Sequence, residues 1–197
     1  MKRSAQLIPV IMLVVLSVSA PSAFSAIIEV EPNNSIATAD LIPDGGANPW
    51  TDVGLVAFGV GGDDVDFFKI WLVQDEILTA ITTPLDVLFT DPDTVMAVYK
   101  ADGIQLCVDD DSANSLYTVS GASKGSAVMY EAPLTAFYYI AVSGSGDNDF
   151  DGFLDIDNVT LHGEVGSYLL TVSVIPEPAT LSLLVLGGLM ILRRRKR

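Results

Sequence analysis

One cysteine, one histidine and only ten lysines and arginines occur in the 197-residue chain, and each scarcity closes off a class of chemistry. Cys107 alone cannot form an internal disulfide, so the fold must be held by its core and by whatever its acids bind. It sits in the alternating stretch "GIQLCVDDD", where a buried, inert thiol is the plain reading. His162, the sole histidine, next to Gly163 at an expected strand end, reads as a surface or hairpin residue, and there is no His pair for a zinc site. The 3.6-residue apolar period of a helix is also missing from the middle of the chain.

The few basic residues are concentrated at the ends. Lys2, Arg3 and the closing Arg193, Arg194, Arg195, Lys196 and Arg197 leave only Lys69, Lys100 and Lys124 between them, against 25 acids in the chain. Phosphate backbones are bound by clustered lysine and arginine, so nucleic acid is excluded as an expected partner. Such a charge serves cations, basic partners or simple solubility.

Both ends read as processing signals and are set aside before the fold is considered. Residues 1–25 have a charged start and an apolar run of 12 residues from Leu7 to Val18, too short for a comfortable span. With small residues at Ala23 and Ser25, they predict a secretory signal peptide and a mature chain starting close to Ala26. At the other end, Ala179 to Leu192 is uncharged. As a helix at about 1.5 Å per residue it reaches roughly 21 Å, against a hydrocarbon core of about 30 Å. The basic end would stay on the cytoplasmic side, so a temporary hold on the membrane is expected. The alternative is a permanent single-span anchor.

Between these signals, residues 26–174 suffice for one domain with a proper core. The runs "DVGLVAFGV", "DFFKIWLV", "ILTAITTP", "TVMAVYKAD", "GIQLCV", "LYTVSG", "SAVMYEA", "FYYIAVSG" and "SYLLTVSV" are short and rich in β-branched and aromatic residues. They are bounded by Gly, Asp, Pro and Asn, and predict an all-β, antiparallel sandwich or barrel. "KADGIQ" around Asp102-Gly103 is a hairpin signal, and "DGGANPWT" is loop chemistry that offers Trp50 for exposed contact. The rings of "DFFKIWLV" and "FYYIAV" are expected mostly in the core.

The acids are grouped. Glu29 and Glu31 share one side of an extended segment, followed by Pro32, Asn33 and Asn34, and "GGDDVDFF" adds Asp63 and Asp66. Calcium takes six to eight oxygens, so the two stretches are either a cation cage or a solvated acidic turn. "DNDFDGFLDIDN" places Asp147, Asp149, Asp151 and Gly152 in the D-x-D-x-D-G opening of an EF-hand loop, with Asp155 ninth. Asn158 stands where the bidentate glutamate belongs, and the flanking helices are absent, so the alternative is a polar hairpin loop. Asp109, Asp110 and Asp111 close a strand as a negative turn.

Pro176-Glu177-Pro178, the apolar run and the terminal Arg193, Arg194 and Arg195 resemble the PEP-CTERM sorting signal of Gram-negative bacteria, a tail also called the ice-binding protein C-terminal domain. The resemblance covers residues 175–197. It implies recognition and removal by an exosortase-type membrane protease and delivery to the cell surface or exopolysaccharide matrix; it implies no ice binding.

The order "EPNNS", "DVDFF", "DTVMAVYKADGIQLCVDDD", "FYYIAVSG", "GSYLLTVSV" resembles the bacterial pre-peptidase C-terminal domain, a jelly-roll β-sandwich related to the collagen-binding modules of clostridial collagenases. This second resemblance runs from Glu29 to Val174. It implies calcium held by Glu29, Glu31, Asn33, Asn34, Asp63 and Asp66, with the Phe67 carbonyl a further ligand. "FTDPDT" resembles a subgroup of PEP-CTERM-tailed secreted proteins of unknown function. Such modules usually accompany a protease, and none lies within these 197 residues.

"GASKG" fits G-x-S-x-G, with Asp155 and His162 following Ser123 in hydrolase order. That elbow needs a strand-to-helix turn, whereas β-type runs flank it here, so a chance match is the reading. The expectation is a secreted, tail-sorted, calcium-binding, non-catalytic surface or extracellular-matrix protein, with exopolysaccharide or surface proteins as partners. The alternatives are a carbohydrate- or protein-binding adhesion module and, third, a small hydrolase.

Overall fold

A strand that alternates apolar and polar residues has one face to bury, and two such sheets satisfy each other by closing face to face. That is the architecture of the computed structural model, which describes residues 26–43, 49–59, 61–85, 92–113 and 124–176. Its strands are β1 (Asp40–Leu41), β2 (Trp50–Phe58), β3 (Asp66–Leu72), β4 (Ile77–Leu85), β5 (Thr94–Lys100), β6 (Gln105–Asp110), β7 (Ala127–Glu131), β8 (Ala136–Gly144) and β9 (Gly166–Ile175). One sheet has the order β1-β3-β8-β5-β6 and the other β2-β9-β4-β7. All pairings are antiparallel except the two-residue β1–β3 pair. Among the described residues there is no helix.

The main core lies between the sheets and includes Phe68, Ile70 and Leu72 from β3 and Tyr168, Leu170 and Val172 from β9. A smaller apolar cluster covers the outside of the five-stranded sheet, where Phe150 from the loop after β8 and Ala39 from the N-terminal segment pack over Phe67, Val95 and Tyr99. β5 is therefore buried on both faces, which explains its continuous run "TVMAVY". Polar contacts inside are paired: the hydroxyls of Thr82 and Thr94 meet at 2.6 Å, and Ser126 N–H donates to Thr82 Oγ1 at 2.8 Å, joining β4, β5 and the entry to β7.

The N-terminal segment is locked to the sandwich edge. Ala26 bridges Val53, and Ile27 fills the space over Gly54, where an added Cβ would lie 2.5 Å from the Ile27 Cβ. The Asp102-Gly103 hairpin forms between β5 and β6, with Gly103 at φ 81° and Asp102 Oδ1 accepting the Ile104 N–H.

Two expectations are corrected. Trp50 is not an exposed loop residue: it is the first inward residue of β2 and 3% exposed. His162 is not on the surface but 8% exposed, because it closes a loop contact across the chain. "LYTVSG", the signal peptide (1–25) and the tail residues Glu177, Pro178, Arg193, Arg194 and Arg195 lie outside the described residues.

Phe68 is fully buried at the centre of β3. Phe68→Ala should lower unfolding free energy by about 3–5 kcal/mol through lost transfer energy and a residual cavity. Urea unfolding with an unchanged slope would read this directly, and a loss under about 1 kcal/mol would contradict the core assignment.

Candidate metal centre

The three acidic clusters among the described residues gather at one end of the sandwich. Asp66 at the start of β3 pairs with Val142 near the end of β8, Thr94 at the start of β5 pairs with Gly144, and Asp110 at the end of β6 pairs with Val95. Three groups result, each with carboxylate oxygens within 4.8 Å of one another: Glu29, Glu31, Asp64 and Asp66; Asp93, Asp110 and Asp111; and Asp147, Asp149 and Asp151. Their oxygens are satisfied in different ways.

In the first group Glu29 and Asp66 are each anchored through one oxygen and bare at the other. Glu29 Oε2 accepts the Ala57 N–H at 3.0 Å, while Oε1 is buried without a hydrogen-bond partner. Asp66 Oδ2 accepts the Tyr168 hydroxyl at 2.5 Å, while Oδ1 is equally buried and bare. Asp64 Oδ2 accepts the Gly59 N–H at 2.5 Å, and Oδ1 accepts Asn34 Nδ2 at 3.4 Å. Glu31 Oε2 accepts the Asn33 N–H at 3.2 Å. Asn33, fully buried, donates through Nδ2 to Asp40 at 3.5 Å and leaves its own Oδ1 without a donor. Its carbonyl accepts the Phe67 N–H at 3.0 Å, fixing the segment against β3.

Burial, then repulsion from Glu29, pushes the Asp66 carboxyl well above the usual range, against the lowering effect of the Tyr168 hydroxyl. Burial raises Glu29 as well, opposed by its contact with Asp66 and the Ala57 N–H. Carboxylates that crowd together with outer oxygens held by donors and inner oxygens bare have the arrangement of ligands oriented by a supporting shell. The donor set is all oxygen, with no thiolate or imidazole, which suits a hard cation such as calcium.

Of the residues expected from the sequence, Glu29, Glu31 and Asp66 come together, Asn33 and Asn34 lie in the same assembly, and Asp63 does not. Asp63 is exposed at the 61–63 turn while its neighbour Asp64, 8% exposed, turns inward. His162 shapes this turn: its Nε2–H donates to the Asp64 carbonyl at 3.0 Å while Nδ1 accepts the Glu164 N–H at 3.0 Å. Gly152 permits the loop after β8 to close on it, since a Cβ there would lie 2.7 Å from the Asp63 carbonyl oxygen.

The EF-hand-like loop is organised by its own backbone. Fully buried Asp147 accepts from Asp151 N–H at 3.1 Å, Gly152 N–H at 2.9 Å and the Ser143 hydroxyl at 2.5 Å. Asp155 stands apart from the group and accepts two bonds from Asn148, at 3.0 and 2.7 Å. Asp149 is exposed, and its carboxyl is raised by desolvation and by Asp151.

The remaining group was half visible in "CVDDDS". Asp110 and Asp111 approach Asp93, whereas Asp109 turns away and accepts the Ala127 N–H at 2.8 Å, stapling β6 to β7. Burial and repulsion from Asp111 and Asp110 push Asp93 up to about 7, and its Oδ1 is buried without a donor. Ser123 of the hydrolase pattern lies outside the described residues.

No known protein family matches the chain by sequence, and no curated protein does. Among solved structures, it is similar to Aeromonas hydrophila PliG, a periplasmic lysozyme inhibitor of g-type lysozyme, with 12% identity over 69% of this chain and 95% of that one and a TM-score of 0.42. The pre-peptidase C-terminal domain of collagenase from Bacillus anthracis is similar at 12% identity over 69% and 93%, with a TM-score of 0.39. Salmonella Typhimurium PliG follows at 12% identity over 70% and 99%, with a TM-score of 0.34.

Proposed function

We propose that the chain is a secreted, non-catalytic β-sandwich of jelly-roll type that binds calcium between its N-terminal segment and β3, and works at the cell surface or in the extracellular matrix. The observation that carries this reading is the set of buried oxygens without donors, Glu29 Oε1, Asp66 Oδ1 and Asn33 Oδ1, in one assembly. Left bare, such oxygens keep the full cost of desolvation; a divalent cation removes it. Calcium would be held by Glu29, Glu31, Asp64 and Asp66, with Asn33 supplying a neutral oxygen. What it supplies is structural: it neutralises the cluster and ties residues 29–34 to the β2 and β3 edges. Sorting by an exosortase-type protease through residues 175–197 belongs to the same proposal and rests on the sequence pattern alone. Both ring nitrogens of His162 are engaged by backbone groups, which supports a role for it other than in a hydrolase triad.

A second reading, an adhesion module for carbohydrate or protein, is favoured by one feature at the opposite end of the sandwich. Trp71 and Phe137 are 44% and 41% exposed and meet edge to face, with centroids 4.9 Å apart. Beside them is a hollow of about 340 Å³ lined by Lys100, Leu134 and Phe137. Trp71→Ala should weaken retention on purified exopolysaccharide without moving the calcium response, and unchanged retention would remove this reading.

Calcium added to chelated protein should raise the melting temperature, and Asp66→Asn or Glu31→Gln should weaken binding by at least about tenfold, the loss of one charged ligand contact. Asp63→Ala should leave binding intact. Titration calorimetry on the three variants checks this, and the absence of any calcium heat or thermal shift in the wild type would refute the site.

Asp93 gives a separate pH signature. Its folded carboxyl titrates at about 7, against an ordinary value of about 3.9 in the unfolded chain. Between those limits the folded state keeps a proton that the unfolded chain has lost, so stability falls as pH rises from about 4 through about 7. In chelator, Asp93→Asn should melt above the wild type at pH ~8 and with it at pH ~4. Coincident melting curves at both ends would show that Asp93 carries no such burden.

A further inference from the structure

The outer face of the four-stranded sheet departs from the usual pattern of an antiparallel sheet with one side in water, in which polar and charged residues alternate with buried ones. Its outward positions are the odd-numbered residues of β2, β9, β4 and β7. Aliphatic side chains, among them Val53, Leu55, Leu169, Ile77, Ile81 and Met129, alternate there with alanine, serine and threonine. Glu131, at the end of the edge strand β7, is the one charge among the outward positions of these strands. In register, Val53, Thr171, Ile81 and Ala127 form a row across all four strands. Leu55 is 62% exposed and Met129 74%, and Leu169 and Ile81 belong to neither core cluster.

This face lies on a chain of net charge −15, with 25 acids. Surfaces that carry the acidic clusters oppose carboxylate to carboxylate in a pair of copies, whereas among the strand positions of this face Glu131 alone is charged. Strands ~4.8 Å apart at ~3.3 Å per residue, with about nine residues in each of β2, β9 and β4 but five in β7, give it roughly 500 Å². Two such faces together bury about 1,000 Å², the least that a specific interface needs. We propose that this face joins two copies of the chain, outer sheet against outer sheet, in an isologous pair with the aliphatic rows interdigitated.

The test uses the chain as it is processed by the cell, with intact mass recording which ends it retains, and sedimentation velocity over a range of concentrations. The wild type should be a dimer. Leu55→Glu combined with Leu169→Glu, which opposes carboxylates across the two-fold, should raise the dimer dissociation constant by at least about 100-fold. Because that double variant places new charge on a tightly paired sheet, Thr83→Glu at the same face is the milder second variant, expected to act in the same direction. Lys69→Glu, on the other sheet, should leave the dimer intact. Calcium response should be unchanged in all of them, and at concentrations where both are monomeric Thr83→Glu should melt with the wild type. A wild type that is monomeric throughout, or a dimer that survives both variants, overturns the proposal. So does association that occurs only while residues 177–197 are retained, since the tail and not a second face would then be the partner. None of these residues belongs to the cation assembly, so failure here leaves that reading untouched.

Discussion

Asp66 is the constraint around which the acidic end is built. A carboxylate at the first residue of a central strand, fully buried, is the least favourable thing in this sandwich unless its charge is met. One oxygen is met by the Tyr168 hydroxyl from the facing sheet, and the other faces Glu29. Its surroundings are fixed from several sides. Ile27 wedges the N-terminal segment beside Gly54, Asn33 ties it to Phe67, and His162 pins the Asp64 turn. A cation at this point therefore joins both sheets and the N-terminal segment at once, and a site of that kind contributes to folding as well as to binding.

Three acidic groups at one end of one domain have three different resolutions. Asp147 accepts from N–H and O–H donors on the chain around it, so its charge organises a loop. Asp93 has other carboxylates for neighbours and holds its proton up to about 7. Asp66 and Glu29 are buried with oxygens left over, and a cation is the resolution that leaves both ionised. The density of aspartates therefore does not mark the site. The loop with the most recognisable calcium pattern has its central carboxylate met by its own backbone and by Ser143, whereas Glu29, Asp66 and Asp93 each keep an oxygen that no donor reaches.

Much of this was legible in the sequence, for reasons of period. Strands β2 to β9 announce themselves by alternation or, for β5, by a continuous apolar run, and Glu29, Glu31 and Asp66 stand out because acids interrupt that pattern. What stayed hidden depends on chain direction at turns and on partners distant in sequence. Asp64 replaces Asp63 because Gly62, at φ 73°, reverses the chain before it and sets which carboxylate points inward. Asp93 gains its neighbours from β6, across a register that no local pattern encodes. β1, with two residues, is too short to carry a period at all. Trp50 followed loop residues and looked like one of them, though its side chain starts the inward row of β2.

The strand directions also separate the two ends of the molecule. β9 begins at Gly166, beside the acidic loops, and runs to Ile175, from which the described chain leaves at Pro176. Tyr168, which meets Asp66, stands seven residues before Ile175, roughly 23 Å of extended chain, so the exit lies about that far along the strand from the cation assembly. If the tail engages a membrane, as its sequence implies, the anionic lipid surface and the acidic end are separated by about two Debye lengths of about 10 Å at ordinary ionic strength. The carboxylates then feel little repulsion from the lipid, and the cation end faces outward. The exposed Trp71 and Phe137 pair sits at the exit end, and the uncharged sheet face runs along the strands between the two ends. A paired face on that flank leaves the acidic end unobstructed, so cation binding and self-association use separate surfaces and need not compete.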